Sequence, residues 1–503
     1  MGRWSRATGQ GSGRAGTVPR GGQGGADQQR GGQRAAARIG AGLGRRKRAE
    51  LLGGLRPCFA RVEPWLQAGK YAAALMSQIP RRNGWTIAGH AGDRSPDRTQ
   101  RLLNRAVWDS FAAMAVVRRF AVAGLDEAAR RAGRRGLAVG AVDETGQVKQ
   151  GEHTAGVKRH YLGCAGKVAN GITTVHLAYV RENAGHAPIA SRQWIPAEQI
   201  GDPVKSLVMG LPGDLVFRTK GQLAIDLLTE VFADGVELDY VCGDEVYGSC
   251  TQLREYLEGR GQGYVLRVPS NFHLTLARGV KLSCKQAAAR FLAGGRRWEI
   301  RSAGKGSKGE HWYAWAWIAN TAARHYLLIR RHRVTGELAF HYCHVPQGEP
   351  LSLSRLIRAA GLRWPAEENF QFSKGCFGPG QSQVRLYTAI ARHTVLVMAT
   401  LAICAITAAL LRRRTGTQAR APARPDQPPP ADPGMIPLTV PETGRLLPPT
   451  TALCRQALAE LAPPPPSPLA LVPPAHTTYS RDCPGQLANG CCRTTPSGMT
   501  WAR

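Results

Sequence analysis

Acidic residues are scarce. Only 35 Asp and Glu stand against 67 Lys and Arg in 503 residues, giving a net charge of +32. That imbalance points to a polyanionic partner, with nucleic acid the first candidate. Aromatic residues are also few, at 7%, yet 43% of the chain is apolar, which excludes disorder throughout. No CxxC pair and no histidine at zinc spacing accompanies the cysteines, so a structural zinc module has no support. Cys58, Cys164, Cys242, Cys250, Cys284, Cys343, Cys376 and Cys404 are scattered, and reduced, mostly buried thiols are expected. The N-terminus lacks an apolar signal core, so secretion has no support either. The length excludes a small disulfide-stapled scaffold and implies two or three domains. Residues 394–411 form an 18-residue run without charge, at the lower edge of the ~17–25 residues that cross a bilayer. The run is solitary and rich in Ala and Thr, so a buried C-terminal helix is expected, with no membrane partner.

Both ends differ in composition from the middle. Residues 1–50 carry 11 Lys or Arg against Asp27 and Glu50, among glycine runs, and are expected to form a disordered basic Gly/Arg-rich arm. Residues 414–503 hold 19 of the 33 prolines and are expected to form a Pro-rich, largely disordered tail. The arm contributes +9 and the tail +3, which leaves +20 on residues 51–413. The folded body is itself basic.

Residues 51–135 read as a helical domain. Ser95, Pro96 and Asp97 give an N-cap, a proline at the first helical position and an acid in the first turn, and Leu102, Leu103, Ala106 and Val107 follow at helical spacing. Asp109 can cap the next helix, through Phe111, Met114 and Val117. Arg81, Arg82, Arg94, Arg98, Arg101, Arg105, Arg118 and Arg119 are assigned to the outer faces. Two readings are open: a surface that grips DNA phosphates, or the solvated face of a structural bundle.

After Gly136 the period changes. Residues 137–142 form a short apolar run ending at Asp143, and residues 172–180 and 187–195 read as further strands. Residues 220–233 read as a helix, 238–242 as a buried strand ending at Gly243-Asp244, 251–258 as a helix and 264–268 as a strand. The alternation fits an α/β layer over residues 136–413. Within it, residues 270–350 read as an inserted antiparallel β subdomain, with strands near 298–301, 312–320, 326–331 and 338–343. Trp298, Trp312, Trp315 and Trp317 there suit base stacking or a cross-strand core. A helix through Leu356 to Ala360 is expected to close at Gly361.

Three acids stand out: Asp143 in Val142-Asp143-Glu144-Thr145-Gly146, Asp244 in Gly243-Asp244-Glu245-Val246-Tyr247-Gly248, and Glu367 in Arg363-Trp364-Pro365-Ala366-Glu367-Glu368. Carboxylate oxygens suit Mg²⁺, and three acids can hold two ions about 3.5–4 Å apart, a pair suited to phosphodiester cleavage by an activated water or 3′-hydroxyl. An Asp after a strand is more often a turn former or helix cap. The third segment raises the signal. Arg363, Glu367 and Lys374 have the spacing Arg-x3-Glu-x6-Lys, and Glu367, Gln371 and Lys374 share one face of a helix beginning at Pro365. A surface ion-pair face is the competing explanation.

From about Phe59 to Leu447 the sequence resembles the bacterial insertion-sequence transposases of the Asp-Asp-Glu (DDE) endonuclease superfamily. The resemblance rests on Arg82-Asn83-Gly84-Trp85-Thr86, Arg101 through Asp109, Asp143-Glu144-Thr145-Gly146, Gly163 through Lys167, Gly243 through Gly248 and Arg363 through Lys374, in that order. It implies a ribonuclease-H-like mixed sheet with flanking helices, an inserted β subdomain and an N-terminal helical domain. It also implies Asp143, Asp244 and Glu367 as the metal-binding catalytic triad, two Mg²⁺ ions with Mn²⁺ as substitute, and Arg363 and Lys374 as phosphate contacts. Arg101, Arg105 and Lys167, within these motifs, join them as expected DNA contacts. The implied partners are the element's terminal inverted repeats and target DNA, bound by a homodimer in the bacterial cytoplasm at the nucleoid. Where the family signature has a tyrosine, this chain has Ala360. Glu144, Glu245 and Glu368 are assigned to the surroundings of the triad. The sequence departs from the family beyond Leu447 and in residues 1–50. Two rivals stay open: a metal-dependent nuclease without strand transfer, and an inactive DNA-binding remnant, which the altered tail and Ala360 favour.

Overall fold

The apolar run ahead of Asp143 becomes an interior strand of a ten-stranded sheet in the computed structural model. The structure describes residues 23–133, 136–276, 279–293, 297–306, 309–364 and 381–414. The strands are β1 (Ala138–Val148), β2 (Lys158–Leu162), β3 (Lys167–Arg181), β4 (Gly185–Trp194), β5 (Tyr240–Gly243), β6 (Tyr264–Val268), β9 (Glu299–Gly306), β10 (Gly309–Ala319), β11 (His325–His332) and β12 (Leu338–His344). Their order is β2-β3-β1-β5-β6-β12-β11-β10-β9, with β4 also on β3. β1, β5 and β6 run parallel, and the outer strands are antiparallel. A separate hairpin joins β7 (His273–Leu276) to β8 (Val280–Ser283). This mixed sheet with helices on its faces is the ribonuclease-H-like arrangement.

The expected β insertion takes a different form. Its strands are antiparallel, but β12 pairs with β6 from Phe340↔Val268 to His344↔Tyr264, so they lengthen the central sheet. The cause is burial. Leu327, Ile329, Phe340 and Tyr342 join the same apolar cluster as Tyr264, Leu266 and Val268, which leaves the insertion no core of its own. Trp315 is buried, Trp317 stacks on Tyr326 with ring centroids 5.3 Å apart, and Trp312 is exposed.

The N-terminal helices are α1 (Gln23–Leu55), α2 (Val62–Met76), α3 (Gly84–Ala91), α4 (Asp97–Asn104) and α5 (Ser110–Arg131). From Gln23 onward the expected disordered arm is therefore a helix, and residues 1–22 lie outside the described residues. Leu51 and Leu55, one turn apart, are buried in the cluster that holds α5, which fixes the end of α1. Asp109 caps α5, accepting from the Phe111 and Ala112 N–H groups at 2.8 and 3.0 Å. Ser95 does not cap α4: Pro96 occupies that position, and the serine hydroxyl donates to Asp97 at 2.7 Å.

Two arginines assigned to the outer faces are buried. Arg82 donates to the Leu75 and Ser77 carbonyls at 3.2 and 3.0 Å, closing the end of α2, and Arg118 pairs with Asp234 at 2.6 Å. Arg81, Arg94, Arg98, Arg101, Arg105 and Arg119 are exposed.

The remaining helices are α6 (Ala197–Ile200), α7 (Pro203–Met209), α8 (Lys220–Ala233), α9 (Glu245–Gly248), α10 (Thr251–Gly259), α11 (Cys284–Leu292), α12 (Leu353–Leu362) and α13 (Tyr387–Arg414). α13 carries the long uncharged run. By length and composition it is able to cross a membrane, yet 89% of its apolar window is buried in the fold. Val395, Leu396, Ile403 and Ile406 share one core with Val117, Ala121 and Leu125 of α5 and Ile189 of β4, so the core is continuous across residue 135.

Arg392 of α13 is buried and donates to the Leu103 and Trp108 carbonyls at 3.1 and 3.0 Å. Arg392→Ala strands both acceptors, at about 1–3 kcal/mol for a buried polar group left unpaired. Chemical denaturation is expected to show that loss, with an unchanged slope against denaturant.

Candidate active site

β1 and β5 are adjacent parallel strands in the register Val139↔Tyr240, Gly140↔Val241, Ala141↔Cys242. Continuing that register by two residues sets Asp143 beside Asp244. Because side chains alternate between faces, both follow Ala141 and Cys242 on the face covered by α12. Cys242 Sγ lies 3.3 Å from the Ala359 carbonyl of α12, and Val139, Ala141, Leu356 and Ile357 fill one apolar cluster there. Glu144 has the opposite parity and follows Val142 toward the face that carries α8, where Val142, Leu223 and Leu227 pack together.

The backbone turns both aspartates into fixed acceptors. Asp143 Oδ1 accepts from the Glu144 N–H at 2.8 Å, and Asp244, the N-cap of α9, accepts from the Val246 N–H at 3.0 Å. Oxygens of Asp143, Glu144 and Asp244 lie within 4.8 Å of one another. Arg363, just beyond α12, brings Nη1 to 4.0 Å from Asp143 Oδ2. Burial above all pushes the Asp143 carboxyl up to about 7; the negative charges of Asp244 and Glu144 add to the rise, and Arg363 opposes it. Asp244 is raised chiefly by burial and then by Glu144. A nearby cation favours the ionised form of carboxyls that otherwise resist ionising together, and a cluster of carboxylate oxygens is the donor set that hard divalent ions prefer. Asp143 and Asp244 therefore fit a divalent metal.

Two of the three acids singled out in the sequence are thus brought together. The third, Glu367, lies outside the described residues with Lys374 and Glu368. Arg363 stands against the acid pair, with its side chain 13% exposed. Arg101, Arg105 and Lys167 are exposed elsewhere, on α4, just after it and at the start of β3. Glu245 pairs with Arg267 at 3.0 Å. Glu144 is more central than its assignment to the surroundings implied: it pairs with Lys220, the first residue of α8, and accepts from the Tyr247 hydroxyl at 3.0 Å. Tyr247, three residues after Asp244, was discoverable as one turn of helix away. Nothing local connects Lys220 to Glu144.

Comparison with known proteins bears on this geometry. Residues 55–299 match the family model described as "DDE superfamily endonuclease". Over that stretch the chain is similar to the DDE-superfamily endonucleases. The match spans both Asp143 and Asp244 and agrees with the resemblance read from the motifs. Over 138 residues, the chain is also 29% identical to the "Probable transposase for insertion sequence element IS701" of Microchaete diplosiphon. That alignment covers 27% of this chain and 33% of the relative, so the chain spans about a third of the length of the curated relative it matches. The superfamily implies dependence on divalent metal, in keeping with the acid cluster.

Proposed function

We propose that this protein is a DNA transposase, which binds the ends of an insertion sequence, hydrolyses a phosphodiester at each end and joins the freed 3′-hydroxyl to target DNA. The observation that carries the reading is the convergence of Asp143 and Asp244, register-matched on parallel strands, with raised carboxyl pKa values and an arginine beside them. Asp143 and Asp244 would hold Mg²⁺, completed by Glu367, with Mn²⁺ as substitute. Bound divalent ions supply Lewis acidity at the phosphate. The chain's own residues orient and screen: Arg363 faces the phosphate, and the exposed Arg101, Arg105 and Lys167 meet the backbone elsewhere, with Lys374 as a further contact. Paired ends require two copies of the chain on DNA, acting in the bacterial cytoplasm at the nucleoid.

The test uses DNA carrying the inverted repeats that flank the gene, with Mg²⁺ or Mn²⁺. Asp143→Ala, Asp244→Ala and Glu367→Ala are each expected to reduce cleavage to background while DNA binding stays within about threefold. Cleavage surviving in all three variants would sink the assignment. A pre-cut end joined to a second duplex separates transposition from simple cleavage.

A further inference from the structure

Glu144 is gripped from two sides. Tyr247, fully buried, donates its hydroxyl to Oε2, while the Lys220 ammonium pairs with Oε1. The grip is built into the packing. Lys220 opens α8, whose first turn is closed by a reciprocal Thr219–Gln222 capping box. The next residue, Gly221, lies against Cys250, so close that a Cβ there would stand 2.4 Å from the cysteine sulfur. The start of α8 is thereby pressed onto the segment that follows Asp244 and Tyr247. Lys220 remains 31% exposed, and Glu144 21%. An ion pair this open contributes little to stability. It sets a positive charge at the rim of an acid cluster whose substrate would be an anion.

We infer that Lys220 is a substrate-contacting catalytic residue, held by Glu144 and Tyr247 so that its ammonium meets a non-bridging oxygen of the scissile DNA phosphate. The inference rests on the endonuclease reading above. Glu144 and Tyr247 are positioning residues on this account: although the Glu144 oxygens lie within 4.8 Å of those of Asp143 and Asp244, Lys220 engages Oε1 and the Tyr247 hydroxyl engages Oε2.

Two arms on the full-length protein test this: initial rates of cleavage in Mn²⁺ of a supercoiled plasmid carrying the inverted repeats that flank the gene, against DNA concentration, and Mn²⁺ affinity without DNA. Lys220→Met is expected to lower kcat/KM about 10²-fold, the scale for removing one charge-stabilising donor. Lys220→Arg is expected to recover most of that loss. Mn²⁺ should bind Lys220→Met as tightly as wild type or tighter, since a positive charge near the site is gone. Tyr247→Phe, which keeps the ring but frees Glu144, is expected to lower kcat/KM about tenfold, the scale for losing an orienting hydrogen bond. Cleavage by Lys220→Met within twofold of wild type would overturn the inference. So would a parallel loss of cleavage and Mn²⁺ affinity, which would make Lys220 merely the support of a metal-binding Glu144. If the wild type cleaves nothing, the endonuclease reading has failed, and the Mn²⁺ arm still decides: weaker binding by Lys220→Met overturns the role given to Glu144, and equal or tighter binding upholds it.

Discussion

Asp143→Asn is expected to raise the melting temperature of the metal-free protein at pH 8 while abolishing DNA cleavage. In the fold the Asp143 carboxyl rises from 3.8 to about 7, chiefly through burial. Because the folded value lies above the unfolded one, the native state holds an extra proton across that window. Stability owed to this group is therefore whole below pH 3.8 and falls as pH climbs to about 7. Above the window the ionised carboxylate costs the fold on the order of 4 kcal/mol, at about 1.4 kcal/mol per unit. Asparagine keeps an oxygen for the Glu144 N–H and removes the charge, so the gain should vanish as the pH is lowered toward 4. A divalent ion should stabilise the wild type by mass action and the variant far less. Melting curves from pH 4 to 8, with and without Mn²⁺, read all of these. An Asp143→Asn melting temperature at pH 8 equal to or below wild type would mean the carboxyl is not strained by its surroundings.

What the sequence disclosed follows the range of the interactions involved. Residues 220–233 and 264–268 form the expected helix and strand with unchanged bounds, because capping, apolar period and strand length are local properties. Asp143 and Asp244 were legible for the same reason: each belongs to or follows a buried run, and adjacent parallel strands then set them side by side. The insertion was misjudged because the pairing of β12 with β6 joins segments some seventy residues apart, and local alternation does not say which sheet a strand enters. α1 was hidden by its glycines, and the burial of Leu51 and Leu55 depends on distant α5 and α13. The Lys220–Glu144 pair likewise joins α8 to β1 across residues that share no motif.

Gly361→Ala is expected to destabilise the fold and to depress cleavage further than lost stability alone explains. Its sequence position suggested a helix terminator, but α12 continues through it to Leu362. Its role is close approach: a Cβ on Gly361 would stand 1.8 Å from the carbonyl oxygen of Ala303 in β9, a backbone atom with no flexible end to move aside. Either α12 or β9 must retreat by more than an ångström, and overpacking of that kind costs about 1–3 kcal/mol, sometimes more. The retreat would not stay local. α12 lies on the face shared by Asp143 and Asp244, touches Cys242 through Ala359, and ends one residue before Arg363, whose guanidinium stands 4.0 Å from Asp143. Shifting its last turn therefore moves the cation away from the acids. At a temperature where the variant is fully folded, kcat/KM for DNA cleavage should fall by at least about tenfold, in line with the cost of an ångström-scale misplacement. Gly133→Ala provides the contrast: that glycine has a positive φ of 67° but open space around it, so it should lose a little stability without loss of cleavage. Equal catalytic losses in the two variants would separate the Gly361 contact from the site.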